Sequence, residues 1–126
     1  MSENCFSRIA STGSFLPKRA VSNEELAQDL AKIGVETSDE WIRTRTGIEE
    51  RRIASPEQAT SDLAYEACLK ALDMAGIKGE EVDAIILGTI TPDYVFPSTG
   101  CILQNRLGAK GAFCFDLEGA CSGLLF

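Results

Sequence analysis

Cys121 stands in the run Phe113-Cys114-Phe115-Asp116-Leu117-Glu118-Gly119-Ala120-Cys121-Ser122-Gly123, where an apolar, strand-like stretch gives way to small residues. A thiol at such a strand-to-helix turn is exposed and aimed, and a helix beginning behind it would stabilise a thiolate. The backbone N–H of Cys121 would contribute to an oxyanion site. Small neighbours at Gly119, Ala120, Ser122 and Gly123 would let a substrate carbonyl come close to the backbone. The competing reading is that of any free cysteine, a residue type that most often simply packs. A nucleophile also needs a proton-transfer partner, and the chain contains no histidine.

A second group able to do chemistry is Arg43, Arg45, Arg51 and Arg52, four arginines within ten residues of a chain whose net charge is −7. They either face a phosphate-bearing ligand or form a solvated patch paired with Glu49 and Glu50. The acidic balance disfavours nonspecific binding to nucleic acid or to an acidic membrane. The five cysteines, Cys5, Cys68, Cys101, Cys114 and Cys121, are odd in number and widely spaced, with no C-x-x-C. They support neither a metal site nor a disulfide framework. With 44% apolar and 25% charged residues, no membrane-length apolar run and no signal-peptide pattern at the start, the expectation is a one-domain, cytoplasmic chain.

The elements that must position these residues alternate between helix and strand. Residues 5–15 read as a strand leading into a turn at Leu16-Pro17-Lys18. Ser22-Asn23-Glu24-Glu25 is a capping box opening a helix with the stripe Leu26, Ala27, Leu30, Ala31 and Ile33, stopped at Gly34. A second box, Thr37-Ser38-Asp39-Glu40, opens a short helix that carries Trp41, Arg43 and Arg45 and ends near Gly47; residues 48–54 are extended. The next helix starts either at Ser55 or at Thr60, carries Leu63, Ala64, Ala67, Cys68, Ala71, Leu72 and Ala75 at helical spacing, and stops at Gly76. Residues 82–90 form a nearly unbroken apolar run, as in a parallel strand covered on both faces. Two prolines make 91–98 a loop at the carboxyl end of that strand, where ligand sites of α/β sheets gather. Phe96, between them, lines a pocket or interface, or packs on its own domain. Ser98 caps a helix through Arg106, with Cys101 on its apolar side and Gly108 as the stop, and 111–117 is another buried strand. The fold class is therefore layered α/β. The sequence stops at Phe126, about one turn into the helix that Cys121 should begin, so it reads as the front portion of a longer protein.

Two of these segments resemble one known family. Thr37-Ser38-Asp39-Glu40-Trp41-Ile42-Arg43-Thr44-Arg45-Thr46-Gly47-Ile48, followed by Glu50-Arg51-Arg52-Ile53, is similar to the front signature of β-ketoacyl-acyl-carrier-protein synthase III. Phe115-Asp116-Leu117-Glu118-Gly119-Ala120-Cys121-Ser122-Gly123 is similar to its nucleophile motif. Phe96-Pro97-Ser98 and Ala75-Gly76-Ile77 fall between them in the family's order. The departures are Glu118-Gly119, where small residues are usual, and a longer 26–36 region. The resemblance implies a thiolase-like fold, with residues 1–126 forming its N-terminal half, a mostly parallel mixed sheet with layered helices, and a C-terminal half absent. It implies that Cys121 takes a short acyl group, typically acetyl, from coenzyme A and condenses it with malonyl-acyl-carrier protein with loss of carbon dioxide. It makes Trp41 the residue that stacks on the adenine of coenzyme A, with Arg45 and Thr37 on the same ligand. Phe96 would reach across a homodimer interface into the partner's acyl pocket. No permanently bound cofactor is implied, and the family's decarboxylating His and Asn belong to the second half, so the 126 residues alone would not condense. Alternatives are a related condensing enzyme of quinolone, polyketide or hydroxymethylglutaryl type, and a non-catalytic half-domain scaffold.

Overall fold

The computed structural model describes residues 6–125; Cys5, to which no role is assigned, and Phe126 lie outside the described residues. In chain order the elements are β1 (Arg19–Ser22), α1 (Asn23–Ala31), α2 (Asp39–Thr46), β2 (Glu50–Ile53), α3 (Thr60–Ala75), β3 (Ala84–Gly88), α4 (Thr99–Leu107) and β4 (Phe113–Leu117). Single 3-10 turns occupy Gly79–Glu81 and Ala120–Ser122. The chain divides into two compact units, Leu16–Gln58 and the residues on either side of it.

In the smaller unit β1 and β2 pair antiparallel, with Arg19 opposite Ile53 and Ser22 opposite Glu50. Ser22 caps α1 as its spacing requires, its hydroxyl accepting the Glu25 N–H at 3.2 Å. Ile33, expected on the apolar stripe, lies past the helix end and is 74% exposed. The cap of α2 is Ser38, one residue after the Thr37 expected there: the Trp41 N–H donates to Ser38 Oγ at 3.1 Å. Gly47, at φ +71°, ends that helix in the left-handed conformation that glycine adopts without cost. Val21 and Ile42 are buried, and between them Asn23 has no exposed surface. A buried amide must be fully hydrogen-bonded. Asn23 Nδ2 donates to Asp39 Oδ1 and to the Ile48 carbonyl, both at 2.7 Å, and its Oδ1 accepts from Arg51. One side chain thereby fastens the starts of α1 and α2 to the approach of β2.

In the larger unit β3 and β4 pair parallel, from Ala84 opposite Phe113 to Gly88 opposite Leu117, with α4 as the crossover between them. Ile85, Leu103, Ala109 and Ala112 form the core, flanked by Ala64, Tyr65, Cys68, Val82, Leu107 and Cys114. Leu103 is the largest apolar side chain wholly inside, a position where truncation to alanine costs about 2–5 kcal/mol. The start of α3 resolves to Thr60, because the Asp62 carboxylate accepts the Ala59 N–H at 2.8 Å. Gly76 and Gly108, both left-handed, end α3 and α4 as expected.

Three expectations need correction, one being the buried strand over 111–117: β4 spans Phe113–Leu117, with Phe113 and Phe115 exposed. Residues 6–15 form no strand. Alternating apolar residues do not supply a strand's hydrogen-bonding partner, and this segment is tied instead to α3: Ser11 Oγ donates to the Ala71 carbonyl and Lys70 Nζ to the Ser14 carbonyl, both at 2.8 Å. β1, which was not anticipated, begins only at Arg19. The strand within 82–90 is also shorter than expected and covered on one face only. Ile85 is buried against α4 while Ala84, Ile86 and Gly88 are exposed, so alternation rather than continuous burial describes it among the described residues.

Candidate active site and ligand surface

Strand β4 delivers the candidate nucleophile. Beyond Leu117 the chain turns at Glu118-Gly119, and Ala120 takes φ +44°, the one non-glycine residue in the left-handed region among those described. That conformation is disfavoured for a residue with a Cβ, and such strain gathers at functional sites. The next residue, Cys121, has its side chain exposed. The helix expected to begin there is a 3-10 turn starting one residue earlier: Ser122 N–H bonds the Gly119 carbonyl at 2.9 Å and Gly123 N–H the Ala120 carbonyl at 3.1 Å. These bonds engage the N–H groups of Ser122 and Gly123 and leave that of Cys121 outside them.

The turn is seated by glycines from both sides. A Cβ at Gly88, the last residue of β3, would stand 3.3 Å from the Gly123 carbonyl oxygen, and one at Gly123 would stand 3.4 Å from Gly88 Cα. Gly123, one of the small neighbours expected to admit a substrate carbonyl, also holds the backbone of the nucleophile turn against the end of β3.

The 91–98 loop is pinned at both ends. Thr60 Oγ1 donates to the Thr91 carbonyl at 2.6 Å, Asp93 Oδ1 accepts the Ser61 N–H at 2.9 Å, and the Asp93 N–H donates to Thr99 Oγ1 at 2.9 Å. Between the pins Phe96 is 89% exposed, with Tyr94 and Val95 exposed beside it. Among the described residues Phe96 is left largely uncovered by its own unit. The first turn of α4 is held by Asp116, whose carboxylate accepts the N–H groups of Thr99 and Gly100 at 2.7 Å each. A lone acid inside the apolar run 111–117 was the available signal for this residue, since a carboxylate in a half-buried strand must find donors.

In the smaller unit, Trp41 is 52% exposed and Arg45 lies over its ring, the guanidinium carbon 4.5 Å from the centroid. The other clustered arginines are engaged. Arg43 bridges Asp39 and Glu49 at 3.4 Å each, Arg52 pairs with Glu50 at 2.9 Å, and Arg51 bonds Asn23 and the Val21 carbonyl. Arg51 is thus part of the unit's interior, and among the described residues Arg45 forms no ion pair. A recess of about 310 Å³ runs beside Trp41, lined by Leu26, Leu30, Val35, Thr37, Ile42 and Arg51 among others. The Thr37 hydroxyl, displaced from its expected capping role, is buried there without a hydrogen-bond partner among the described residues. A larger recess, about 410 Å³, lies along α3, β3 and α4 in the other unit. Its lining is aliphatic apart from Cys68, whose thiol is pushed up by burial, so it offers no reactive group.

Known proteins match this arrangement throughout. The β-ketoacyl-[acyl-carrier-protein] synthase III of Xanthomonas campestris pv. campestris (strain 8004) is 54% identical over all 126 residues, and that of Xylella fastidiosa (strain Temecula1) is 52% identical. The crystal structure of 3-oxoacyl-[acyl-carrier-protein] synthase III from Aquifex aeolicus VF5 superposes with a TM-score of 0.82 at 50% identity, over 93% of this chain and 36% of that one. Over its whole length the chain is similar to β-ketoacyl-acyl-carrier-protein synthase III proteins and corresponds to their N-terminal portion. It spans 37% of the length of the two curated synthase III relatives. The priming β-ketosynthase of the R1128 polyketide pathway is more distant, with a TM-score of 0.79 at 37% identity over 89% of this chain and 32% of that one. The thiolase-like α/β fold expected from the motifs is the one these two structural neighbours share. No protein-family model matches the chain. Among the described residues no helix is long and apolar enough to cross a membrane.

Proposed function

We propose that this chain supplies the acyl-accepting machinery of a synthase III that starts fatty-acid synthesis. The observation that carries the reading is Cys121, exposed immediately after a strained left-handed Ala120 at the end of β4, within the family's nucleophile motif. The Cys121 sulfur attacks the carbonyl of acetyl-coenzyme A or another short acyl-coenzyme A. The tetrahedral oxyanion is stabilised by backbone N–H donors, that of Cys121 among them, and collapses with departure of the coenzyme A thiolate, which takes up the proton. In the second half-reaction malonyl-acyl-carrier protein loses carbon dioxide, its carbanion attacks the acyl carbonyl, and the Cys121 thiolate leaves. The His and Asn that stabilise the carbanion in this family belong to the part of the protein beyond these residues.

Trp41, Arg45 and Thr37 are the proposed coenzyme A contacts. A half-exposed indole suits stacking on adenine, and a guanidinium with no carboxylate partner is available to phosphate. Thr37 contributes a hydroxyl that lacks a partner. Phe96, held out on a pinned loop, is proposed to enter the acyl pocket of a second copy, so the working protein is a homodimer, acting in the cytoplasm with acyl-carrier protein as partner and no permanently bound cofactor. The higher identity to fatty-acid synthases III than to the polyketide priming enzyme favours this reading over other condensing chemistries. The test is conversion of acetyl-coenzyme A and malonyl-acyl-carrier protein by the protein encoded by the whole reading frame. Acetoacetyl-acyl-carrier protein is the expected product; a folded protein that never forms a condensed product supports the scaffold alternative.

A further inference from the structure

Two cysteines that the proposed reaction does not use lie against each other. Cys101, in the first turn of α4, and Cys114, in β4, place their sulfurs 3.1 Å apart, and both thiols are free. Neither is sealed in the core, since both are half-buried. They are also unlike each other. Ser98 donates its hydroxyl to Cys101 Sγ at 3.2 Å while accepting the Cys101 N–H at 3.3 Å. That hydroxyl, and then the hydrogen bond shared with Cys114, hold the Cys101 thiol below the usual range. The same shared hydrogen bond, followed by burial, pushes Cys114 up to about 11. One sulfur is poised to react first and the other to follow.

We infer that Cys101 and Cys114 are a second thiol site, an oxidisable pair that closes to a reversible disulfide under hydroperoxide stress, with Cys101 attacking and Cys114 resolving. The Cys101 thiolate attacks a peroxide oxygen: the O–O bond breaks, an S–O bond forms, and hydroxide departs, leaving a sulfenic acid. Cys114 loses its proton and its sulfur attacks the Cys101 sulfur; the S–O bond breaks, the S–S bond forms, and the second oxygen leaves as water. Two thiols and one hydroperoxide thus give one disulfide and two waters when the peroxide is hydrogen peroxide. Closure needs the sulfurs to approach by about 1 Å, to the bond length of about 2.05 Å. The bridge lies beside the existing clamp between Asp116 and the N–H groups of Thr99 and Gly100, so the two backbones it joins are already held together. It would tie the helix that follows the Phe96 loop to the strand that leads to Cys121.

Hydrogen peroxide titration of the full chain, followed by alkylation of the remaining thiols and peptide mapping, tests this. A cut between Cys114 and Cys121, for example after Glu118, separates the two cysteines. The expected result is a Cys101–Cys114 linked peptide that dithiothreitol reverses and that still forms in the Cys121→Ser variant. Before oxidation, iodoacetamide should modify Cys101 at least about tenfold faster than Cys68. In Cys114→Ala the linked peptide should vanish and Cys101 should proceed to sulfinic acid. A bridge from Cys101 to Cys121, or unlinked Cys101 and Cys114 at peroxide levels that oxidise Cys121, would overturn the inference.

Discussion

Replacing Asp116 by alanine should cost more than any other single polar change in the larger unit. Its carboxylate accepts two backbone N–H groups at 2.7 Å, and one of them belongs to Thr99, which has no exposed surface. A hydrogen bond to a charged group contributes about 1.5–3 kcal/mol, and a negative charge at a helix N-terminus adds about 0.3–1 kcal/mol. Two bonds that share one carboxylate are not additive, so the expected loss is about 3–5 kcal/mol. Asp116→Asn keeps one oxygen for one N–H but turns an amide donor toward the other, which places its loss at about 2–3 kcal/mol. In urea unfolding followed by circular dichroism, 3 kcal/mol corresponds to a midpoint shift of roughly 1–3 M. The order alanine, then asparagine, then the unaltered protein is the signature of the mechanism. A loss below about 1 kcal/mol for Asp116→Ala, or equal losses for the two variants, would refute the reasoning.

Two further outcomes follow from the same geometry. Trp41→Ala should weaken coenzyme A binding by roughly 5- to 150-fold in calorimetric titration, the equivalent of about 1–3 kcal/mol of stacking, while the half-exposed site keeps the change in stability under about 1 kcal/mol; unchanged affinity would remove Trp41 from the ligand surface. Asp62 should contribute an acid-sensitive increment to stability, because the Ala59 N–H and then Arg106 hold its carboxyl below the usual value of 3.8. A depressed carboxyl stabilises the fold above that value and loses its contribution as pH falls through the folded one. The stability difference between the protein and Asp62→Asn should therefore be constant near neutrality and shrink below 3.8, and a difference that grows on acidification would contradict the assignment.

What could be read from the sequence was mostly local. Ser22, Ser98, Gly47, Gly76 and Gly108 mark helix ends because capping depends on residues three or four positions apart, and each does so in the structure. The one-residue error at Thr37 and Ser38 has a local cause: Thr37 alone fits the box with Glu40 three residues on, but either hydroxyl can cap and backbone geometry chooses Ser38. Pairing could not be read. β1 at Arg19–Ser22 exists because β2 lies beside it, and 6–15 is not a strand because its hydrogen bonds go to α3. At the site, position and exposure of Cys121 followed from the small residues around it. The left-handed Ala120, the seating of Gly123 on Gly88, and the Cys101–Cys114 contact depend on residues distant in sequence or on a dihedral angle that alanine does not advertise.

The central claim is that Cys121 is the acylated thiol. Peptide mapping by mass spectrometry, after the protein encoded by the whole reading frame has been incubated with acetyl-coenzyme A, tests it most directly. The account predicts one hydroxylamine-labile acetyl group on the peptide holding Cys121 and none in Cys121→Ser. A thioester acetyl group that persists in Cys121→Ser, or that maps to Cys101 or Cys114, would contradict it.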